Sequence, residues 1–259
     1  MNETIRVIHN RKSVRAFQDK PIDRDIVDVI IGAAMRAPTA GNMMLYSIVE
    51  IADQTIKEKL AQSCDNQPFI AKAPLVLLFL ADYQRWFDFF IASGVEAYCE
   101  AQGKKLRYPG EGDLLLACCD ALIAAQTAVI AAESLGLGSC YIGDIMENYE
   151  YHKELLGLPQ YAFPITLLCL GYPTAKAAAR KLTSRFPQEN IHFVNRYERL
   201  DKPALDKMFE PTRPQRYVDG ATNIGQHVYA RKFSADYSVE MARSVKRAIE
   251  SWIAHPEQT

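Results

Sequence analysis

The longest apolar stretch of the chain, Leu114–Leu137, is rich in alanine. It contains Asp120, Gln126 and Glu133, whereas a membrane span consists of roughly 20 apolar residues with few or no charges. The stretch therefore predicts a soluble helix, which begins near Asp113 and ends at a glycine-containing C-capping signal. A helix that is apolar nearly all round must be buried on every side. The surface of one domain would leave one face in water, so we expect a subunit interface to cover that face.

Helices and strands alternate around this stretch, with helices in excess. Apolar periodicity, N-capping residues and bounded apolar runs predict, in chain order, a helix from Asp23 to about Arg36, a strand at Tyr46–Ala52, a helix at Gln54–Cys64, a buried strand at Leu75–Ala81, a strand at Ser139–Ile142, a helix at Asn148–Leu156, a buried strand at Pro164–Leu170 and a helix at Val239–Ile253. This order favours an α+β or α/β architecture, in which helices flank a sheet.

The charge balance and the cysteine pattern exclude several classes of function. A net charge of −1 gives neither the basic excess of a nucleic-acid surface nor that of a membrane surface. The N-terminus lacks the apolar core of a secretory signal. None of the six cysteines forms a C-x-x-C pair, and no two histidines have metal-ligand spacing. We expect reduced thiols, no metal site and a cytoplasmic location.

Three cations and one hydroxyl lie close together near the N-terminus, at Arg11, Lys12, Ser13 and Arg15. Guanidinium, ammonium and hydroxyl groups are the donors that suit a phosphate. The alternative is a solvated basic turn, which is the commoner role of a charge run. A second basic loop, 176–185, leaves the same two interpretations open.

The glycines of the segment 136–143 suggest a dinucleotide-binding fingerprint, but the pattern fails. Its last glycine position is occupied by Tyr141, and the segment leads from a helix into a strand, the reverse of the required order. Gly143 instead indicates a close approach of the backbone to something flat or bulky. The sequence also shows no nucleophile elbow and no paired carboxylates, so a bound cofactor is expected to carry the chemistry.

Five segments, in order along the chain to about residue 200, resemble one known family. They are HNRKSVRAF, RAPTAGNMMLYSIVEI, Asn66-Gln67 followed by IAKAPLVLLFLADYQRW, ESLGLGSCYIGDI and LLCLGYP. These segments are similar to those of the FMN-dependent nitroreductase and flavin reductase family, specifically its oxygen-insensitive NADPH-dependent group.

The resemblance implies an α+β fold with a central, mostly antiparallel sheet flanked by helices. It also implies an intertwined homodimer, with the long buried helix at the interface and two flavin sites lined by both subunits. Residues 1–200 would form the FMN-binding domain. Residues 201–259 would form a C-terminal helical extension, packed on the same domain or on the partner subunit.

The resemblance also implies a set of flavin contacts. They are Arg11, Lys12, Ser13, Arg15, Thr39, Asn42, Gln67, Tyr141, Ile142, Gly143, Asp144, Lys181 and Arg185. The N-terminal group would hold the phosphate, the ribityl chain and the N1/O2 edge of the ring. Thr39 would reach the flavin across the dimer interface, Gln67 would bond the ribityl chain or ring edge, and the segment 141–144 would pass beside the ring.

Two departures from the family pattern bear on these contacts. The family often has glycine where this chain has Asp144, and a carboxylate there would repel an anionic acceptor or change the flavin potential. The phosphate-binding Lys-Pro-Arg of the family is replaced by a longer basic loop. The choice of Lys181 and Arg185 within that loop is therefore the least constrained of the contacts.

The implied reaction is a ping-pong transfer of a hydride from NADPH or NADH, through FMN, to an electron-poor small molecule such as a nitro compound, a quinone or a flavin. No catalytic side chain is expected, because solvent can supply the proton. Enone reduction, dehalogenation or flavin breakdown remain alternatives that need a substrate lid. The aromatic segment Arg85–Pro109 is either such a lid or a helix packed on the core. A flavin-binding sensor and a cofactor-free dimeric interaction protein are the remaining alternatives.

Overall fold

The computed structural model describes residues 1–254 and contains one four-stranded sheet. The strands are β1 (Tyr46–Glu50), β2 (Leu75–Asp82), β3 (Gly138–Ile142) and β4 (Ala162–Gly171). Their order in the sheet is β1-β2-β4-β3, and every neighbouring pair is antiparallel. The predicted central antiparallel sheet is confirmed.

Helices make up most of the remaining regular structure. They are α1 (Glu3–Asn10), α2 (Arg24–Met35), α3 (Gln54–Ser63), α4 (Phe69–Lys72), α5 (Gln84–Ala92), α6 (Val95–Ala101), α7 (Glu111–Ser134), α8 (Tyr149–Leu156), α9 (Ala175–Ala178), α10 (Lys202–Phe209), α11 (Ile224–Val228) and α12 (Asp236–Ile253). Asp23 is the N-cap of α2, and Asp53 caps α3 by accepting a hydrogen bond from the Ile56 amide. The predicted α+β architecture is confirmed, with helix ends displaced by a few residues.

The two faces of the sheet bury different helices, because side chains alternate along each strand. Leu77 and Phe79 of β2 pack in one apolar cluster with α2 and the alanines of α7. Val76 and Leu78 pack in a second cluster with α3 and the turn after β3. All of β2 is buried, so its continuous apolar run is the core of both layers.

The long helix α7 is buried on one side only within the single chain. Five of its alanines, Ala121, Ala124, Ala125, Ala128 and Ala132, pack against the sheet and α2 with no exposed surface. In contrast, Leu115 is 67% exposed, and Leu122 and Ile123 are more than 40% exposed. By length and composition α7 could cross a membrane, but the packing of its alanine face is that of a core helix. The interface that was expected to cover the leucine face stays a prediction.

The aromatic segment that follows β2 packs partly on the core. Trp86, Phe87 and Phe90 of α5 contact a third apolar cluster, and the Trp86 indole donates to the Met43 carbonyl at 2.6 Å. Phe89 is 60% exposed. The core-packing alternative therefore accounts for three of the α5 aromatic residues.

The chain divides into two compact units. One comprises Met1–Arg180 together with the segment that begins at Glu240, and the other comprises Lys181–Val239. In the first unit, Trp252 of α12 is 1% exposed and lies edge-on to the Tyr161 ring, with centroids 5.5 Å apart. In the second unit, Phe186 and Phe209 make an edge-to-face pair. The expected flavin domain 1–200 and extension 201–259 stay predictions.

Candidate functional site

The N-terminal basic segment is hydrogen-bonded to the edge strand β3. Ser13 forms a parallel bridge with Ser139, and the Val14 amide donates to the Ser139 carbonyl at 2.8 Å. Val14 is buried against Gly138, where an added Cβ would lie only 2.6 Å from the nearest Val14 methyl. Only glycine at position 138 lets the segment lie this close to the strand, so the position of the cations depends on that glycine.

The surroundings of Arg11 are those of a binding group. Its Nε donates to the Ser139 hydroxyl at 3.3 Å, and its guanidinium lies 5.8 Å from the centroid of the Tyr141 ring. Its Nη2 is buried and has no hydrogen-bond partner among the described residues. A buried cationic donor without an acceptor is costly, so an anionic or carbonyl-bearing group is the natural complement of this nitrogen.

A half-buried carboxyl group, which the sequence-based set omitted, balances these cations. Glu133 accepts a hydrogen bond from the Ser139 hydroxyl at 2.7 Å. Burial raises the pKa of Glu133, while the Ser139 hydrogen bond and the charge of Arg11 act in the opposite direction. Its place at the end of α7 makes it part of the same charge network. It is the first residue of the segment ESLGLGSCYIGDI, but the sequence-based set assigned it no role.

The other two cations of the segment have different surroundings. The Lys12 ammonium donates to the carbonyls of Ala178 and of Arg180, the latter at 2.7 Å, and so ties the segment to the end of α9. The Arg15 guanidinium is exposed and lies 5.9 Å from the centroid of the Phe69 ring. The alternative of a freely solvated basic turn therefore does not describe Arg11 or Lys12.

Gln67 and the segment after β3 are brought together. The Gln67 side-chain amide donates to Asp144 Oδ2 at 2.8 Å and to the Cys64 carbonyl at 3.0 Å. Asp144, at the position where the family often has glycine, thus fixes the orientation of the predicted flavin contact Gln67. An added Cβ on Gly143 would meet only the Met146 methyl, at 3.9 Å, so the packing of this chain does not itself require glycine at this position.

The predicted ring-edge residues of β3 are half-buried or buried. The Tyr141 hydroxyl donates to Gln126 Oε1 at 3.2 Å, and burial raises the pKa of Tyr141 to about 12 despite the charge of Arg11. Ile142 lies in the apolar cluster on the other face of the sheet. Tyr141 therefore stays neutral at ordinary pH.

Glu147 is a buried carboxyl group that sequence reasoning also missed. It is 4% exposed, and its Oε1 has no hydrogen-bond partner among the described residues. Desolvation, followed by the charges of Asp144, Asp65 and Glu240, raises the pKa of Glu147 to about 7. In the sequence, Glu147 is distinguished only by its position three residues after the predicted flavin contact Asp144.

Thr39 and Asn42 lie in a tight turn between α2 and β1. The Thr39 hydroxyl accepts a hydrogen bond from the Met44 amide at 3.2 Å. Gly41 and Asn42 have φ angles of 56° and 57°, in the left-handed region. Lys181 and Arg185 belong to the separate unit Lys181–Val239, where the Arg185 guanidinium donates to the Thr183 hydroxyl at 2.6 Å. Their assignment to the phosphate stays a prediction.

The site in the first unit is therefore a set of cations along β3 and a half-buried amide at the turn that follows it. The described residues hold no His, Cys, Asp and Glu group that could ligate a metal. Burial raises the pKa of the Cys140 thiol, so it is a poor nucleophile. Such a site can bind and orient an anionic cofactor but provides no nucleophile of its own.

Comparisons with known proteins agree with this geometry. The sequence model described as the nitroreductase family matches residues 8–172. The chain is 31% identical over 232 residues to FMN reductase [NAD(P)H] of Bacillus subtilis, covering 86% of each chain. It is 33% identical over 230 residues to the oxygen-insensitive NADPH nitroreductase of Salmonella typhimurium, covering 89% of each. The solved NADPH:FMN oxidoreductase of Vibrio harveyi, complexed with NAD+, superposes with a TM-score of 0.77 at 25% identity, over 96% of this chain and 98% of that one.

Proposed function

Because the chain belongs to the nitroreductase family, we propose that it is an FMN-dependent oxidoreductase that uses NAD(P)H to reduce electron-poor small molecules. The observation that carries the proposal is the N-terminal cation segment, which pairs with β3 and leaves Arg11 Nη2 without an acceptor. The relatives named as FMN reductase and as NADPH nitroreductase support the same reaction class.

The residues around β3 fit FMN by the chemistry of their donors. Arg11, Ser13 and Arg15 present the guanidinium and hydroxyl groups that suit a phosphate and the polar edge of the ring. Lys12 holds the segment to α9 and adds positive charge to the same place. The Gln67 NH2 group donates to Asp144 and to the Cys64 carbonyl, which leaves its side-chain carbonyl to accept from the ribityl chain or the ring edge.

When it is bound, FMN supplies the reversible two-electron chemistry that none of these side chains provides. The part of the protein is then to orient the reactants, because hydride transfer needs close and aligned contact. Gly143 has no side chain, so the backbone after β3 stays accessible to a flat ring at this position. We propose no catalytic side chain, and we propose nitro compounds, quinones and flavins as the acceptors of a ping-pong cycle.

We also propose that the chain works as a homodimer that pairs through α7. Leu115, Leu122 and Ile123 are exposed on a helix whose opposite face is fully buried, and contiguous exposed apolar residues mark association sites. The Leu122→Glu variant should shift the sedimentation coefficient to that of a monomer. An unchanged dimer would contradict pairing through this face.

Two further proposals follow from the sequence. We propose that residues 1–200 hold the flavin, with Lys181 and Arg185 at its phosphate, and that residues 201–259 form a helical extension. We also propose a cytoplasmic location, since the buried thiols of Cys64, Cys140 and Cys169 are suited to a reducing compartment.

The absorption spectrum of the purified protein, recorded before and after anaerobic addition of NADPH, tests the reaction. Flavin bands that bleach within seconds are the expected result. The Arg11→Gln variant should bind FMN at least tenfold more weakly, because it removes a charge-assisted donor. Arg24→Gln is the matched control. Arg24 is an exposed arginine of α2 that pairs with Asp28 of the same helix and with Glu50 of β1.

Three results would contradict the proposal. Bands that persist with both nicotinamides would indicate a flavin-binding sensor. The absence of flavin bands after incubation with FMN would refute the cofactor. Equal FMN affinities of the Arg11 and Arg24 variants would remove Arg11 from the site.

A further inference from the structure

A single carboxylate interrupts the alanine face of α7. Asp120 is 2% exposed and neighbours Ala117 and Ala121, which are fully buried. A buried carboxylate is costly unless hydrogen bonds replace its hydration. Another alanine at this position would avoid that desolvation cost. The contacts of Asp120 should therefore indicate the role of its carboxylate.

Both oxygens of Asp120 accept backbone hydrogen bonds from one turn. Oδ1 accepts from the Ala40 amide at 3.0 Å, and Oδ2 accepts from the Leu45 amide at 3.1 Å. These amides stand at the two ends of the segment that carries Gly41 and Asn42. One side chain on α7 therefore holds the turn at both ends, through hydrogen bonds strengthened by its charge.

The backbone of this turn would not keep its shape unaided. Gly41, Asn42 and Met44 have φ angles of 56°, 57° and 49°. Two of the three have side chains, and the left-handed conformation is unfavourable for residues other than glycine. The surrounding contacts must therefore impose the conformation.

Side chains of helix α5 hold the same turn by donating hydrogen bonds to its backbone carbonyl groups. The Arg85 guanidinium donates to the carbonyls of Met44 and Tyr46, at 3.0 and 2.6 Å. The Trp86 indole donates to the Met43 carbonyl. Asp120 of α7 binds backbone amides of the turn, and α5 binds its backbone carbonyls, so the turn is held by both helices.

We propose that Asp120 is a positioning residue for the flavin: it holds the 39–45 turn in the conformation in which Thr39 and Asn42 meet FMN. This inference rests on the proposed function. Because α7 also carries the exposed leucine face, Asp120 connects the geometry of the turn to the helix through which we propose that subunits pair.

The Asp120→Asn variant tests the inference, because the replacement keeps the shape but sets an amide NH2 against one backbone N–H. We expect FMN to dissociate at least tenfold more readily, measured by titrating apoprotein well below the melting temperature of the variant. The matched control is Asp113→Asn on the same helix, where the carboxylate accepts from the Gly110 amide and pairs with Arg107. That variant should lose stability while its FMN affinity stays that of the wild type.

A double-mutant cycle separates positioning from general stability. If Asp120 acts through the turn, its effect on FMN affinity should be much smaller in a Thr39→Val background than in the wild type. Additive effects of the two substitutions would overturn the inference. Should Asp120→Asn fail to fold, Arg85→Gln loosens the same turn from the exposed side, and a wild-type FMN affinity in that variant would overturn the inference as well.

Failure of the inference differs from failure of the proposed function. If the wild-type protein binds no FMN, the proposed function is refuted. If the wild type binds FMN and Asp120→Asn binds it equally tightly, the cofactor assignment stands and Asp120 has no positioning role.

Discussion

Replacing Glu147 with glutamine should remove a pH dependence of stability that burial creates. In the folded chain, desolvation and three neighbouring carboxylates, Asp144, Asp65 and Glu240, raise the pKa of Glu147 from 4.5 to about 7. The folded state therefore binds a proton more tightly than the unfolded state. The stabilisation is fully present below pH 4.5, and it is lost as the pH rises through 7.

The magnitude follows from the two pKa values. Each pH unit between them corresponds to about 1.4 kcal/mol, so ionising Glu147 lowers the unfolding free energy by up to about 3 kcal/mol. The Glu147→Gln variant carries no such proton. The difference in unfolding free energy, variant minus wild type, should rise by about 2–3 kcal/mol between pH 5 and pH 8.

Urea unfolding at a fixed protein concentration, at pH 5, 6, 7 and 8, measures this difference. Glu150→Gln is the control, because Arg243 lowers the pKa of the exposed Glu150 to about 2 and its titration lies below the range. The Glu150 difference should be flat from pH 5 to pH 8. A flat Glu147 difference, or one that falls with rising pH, would refute the argument that burial dominates at this carboxyl group.

Three further substitutions test the packing. Gly171→Ala should destabilise the protein by about 1–3 kcal/mol, because its Cβ would lie 2.7 Å from Pro74 and 2.8 Å from Phe17, and thermal unfolding will show it. Gly32→Ala should instead stabilise the protein by about 0.5–1 kcal/mol, because Gly32 lies inside α2 and an added Cβ there would meet no atom within 4 Å. A lowered melting temperature in both glycine variants would contradict these two predictions. Trp252→Ala should cost about 3–5 kcal/mol in urea unfolding, and a loss below 1 kcal/mol would show that α12 packs weakly.

The secondary structure could be predicted because each element carries its own local signal. The buried run that predicted a strand at Leu75–Ala81 is β2, and the Asp23 cap marked the start of α2. The predicted start of the long helix, near Asp113, was two residues late, since α7 begins at Glu111. Asp113 lies inside the first turn, where its carboxylate accepts from the Gly110 amide.

The site was predicted less completely, because its charges are balanced by residues that are distant in sequence. Arg11, Lys12, Gln67 and Asp144 stood out through segments that resemble a known family. Asp120 and the Ala40 amide are 80 residues apart, and their hydrogen bond exists only once α7 lies against the turn. Glu133 is close to Ser139 in sequence, but its charge meets that of Arg11 only once the N-terminal segment pairs with β3. No spacing rule along the chain reveals either contact.

The pairing of Ser13 with Ser139 also bears on the order in which the chain folds. The Arg11–Ser139 hydrogen bond spans 128 residues, so the N-terminal cations emerge early in synthesis and gain their partners only after β3 has been made. Closing so long a loop is slow and is favourable only when the sheet edge already exists. The cation segment should thus be among the last parts to dock, because a nascent chain shorter than about 140 residues lacks the strand with which it pairs.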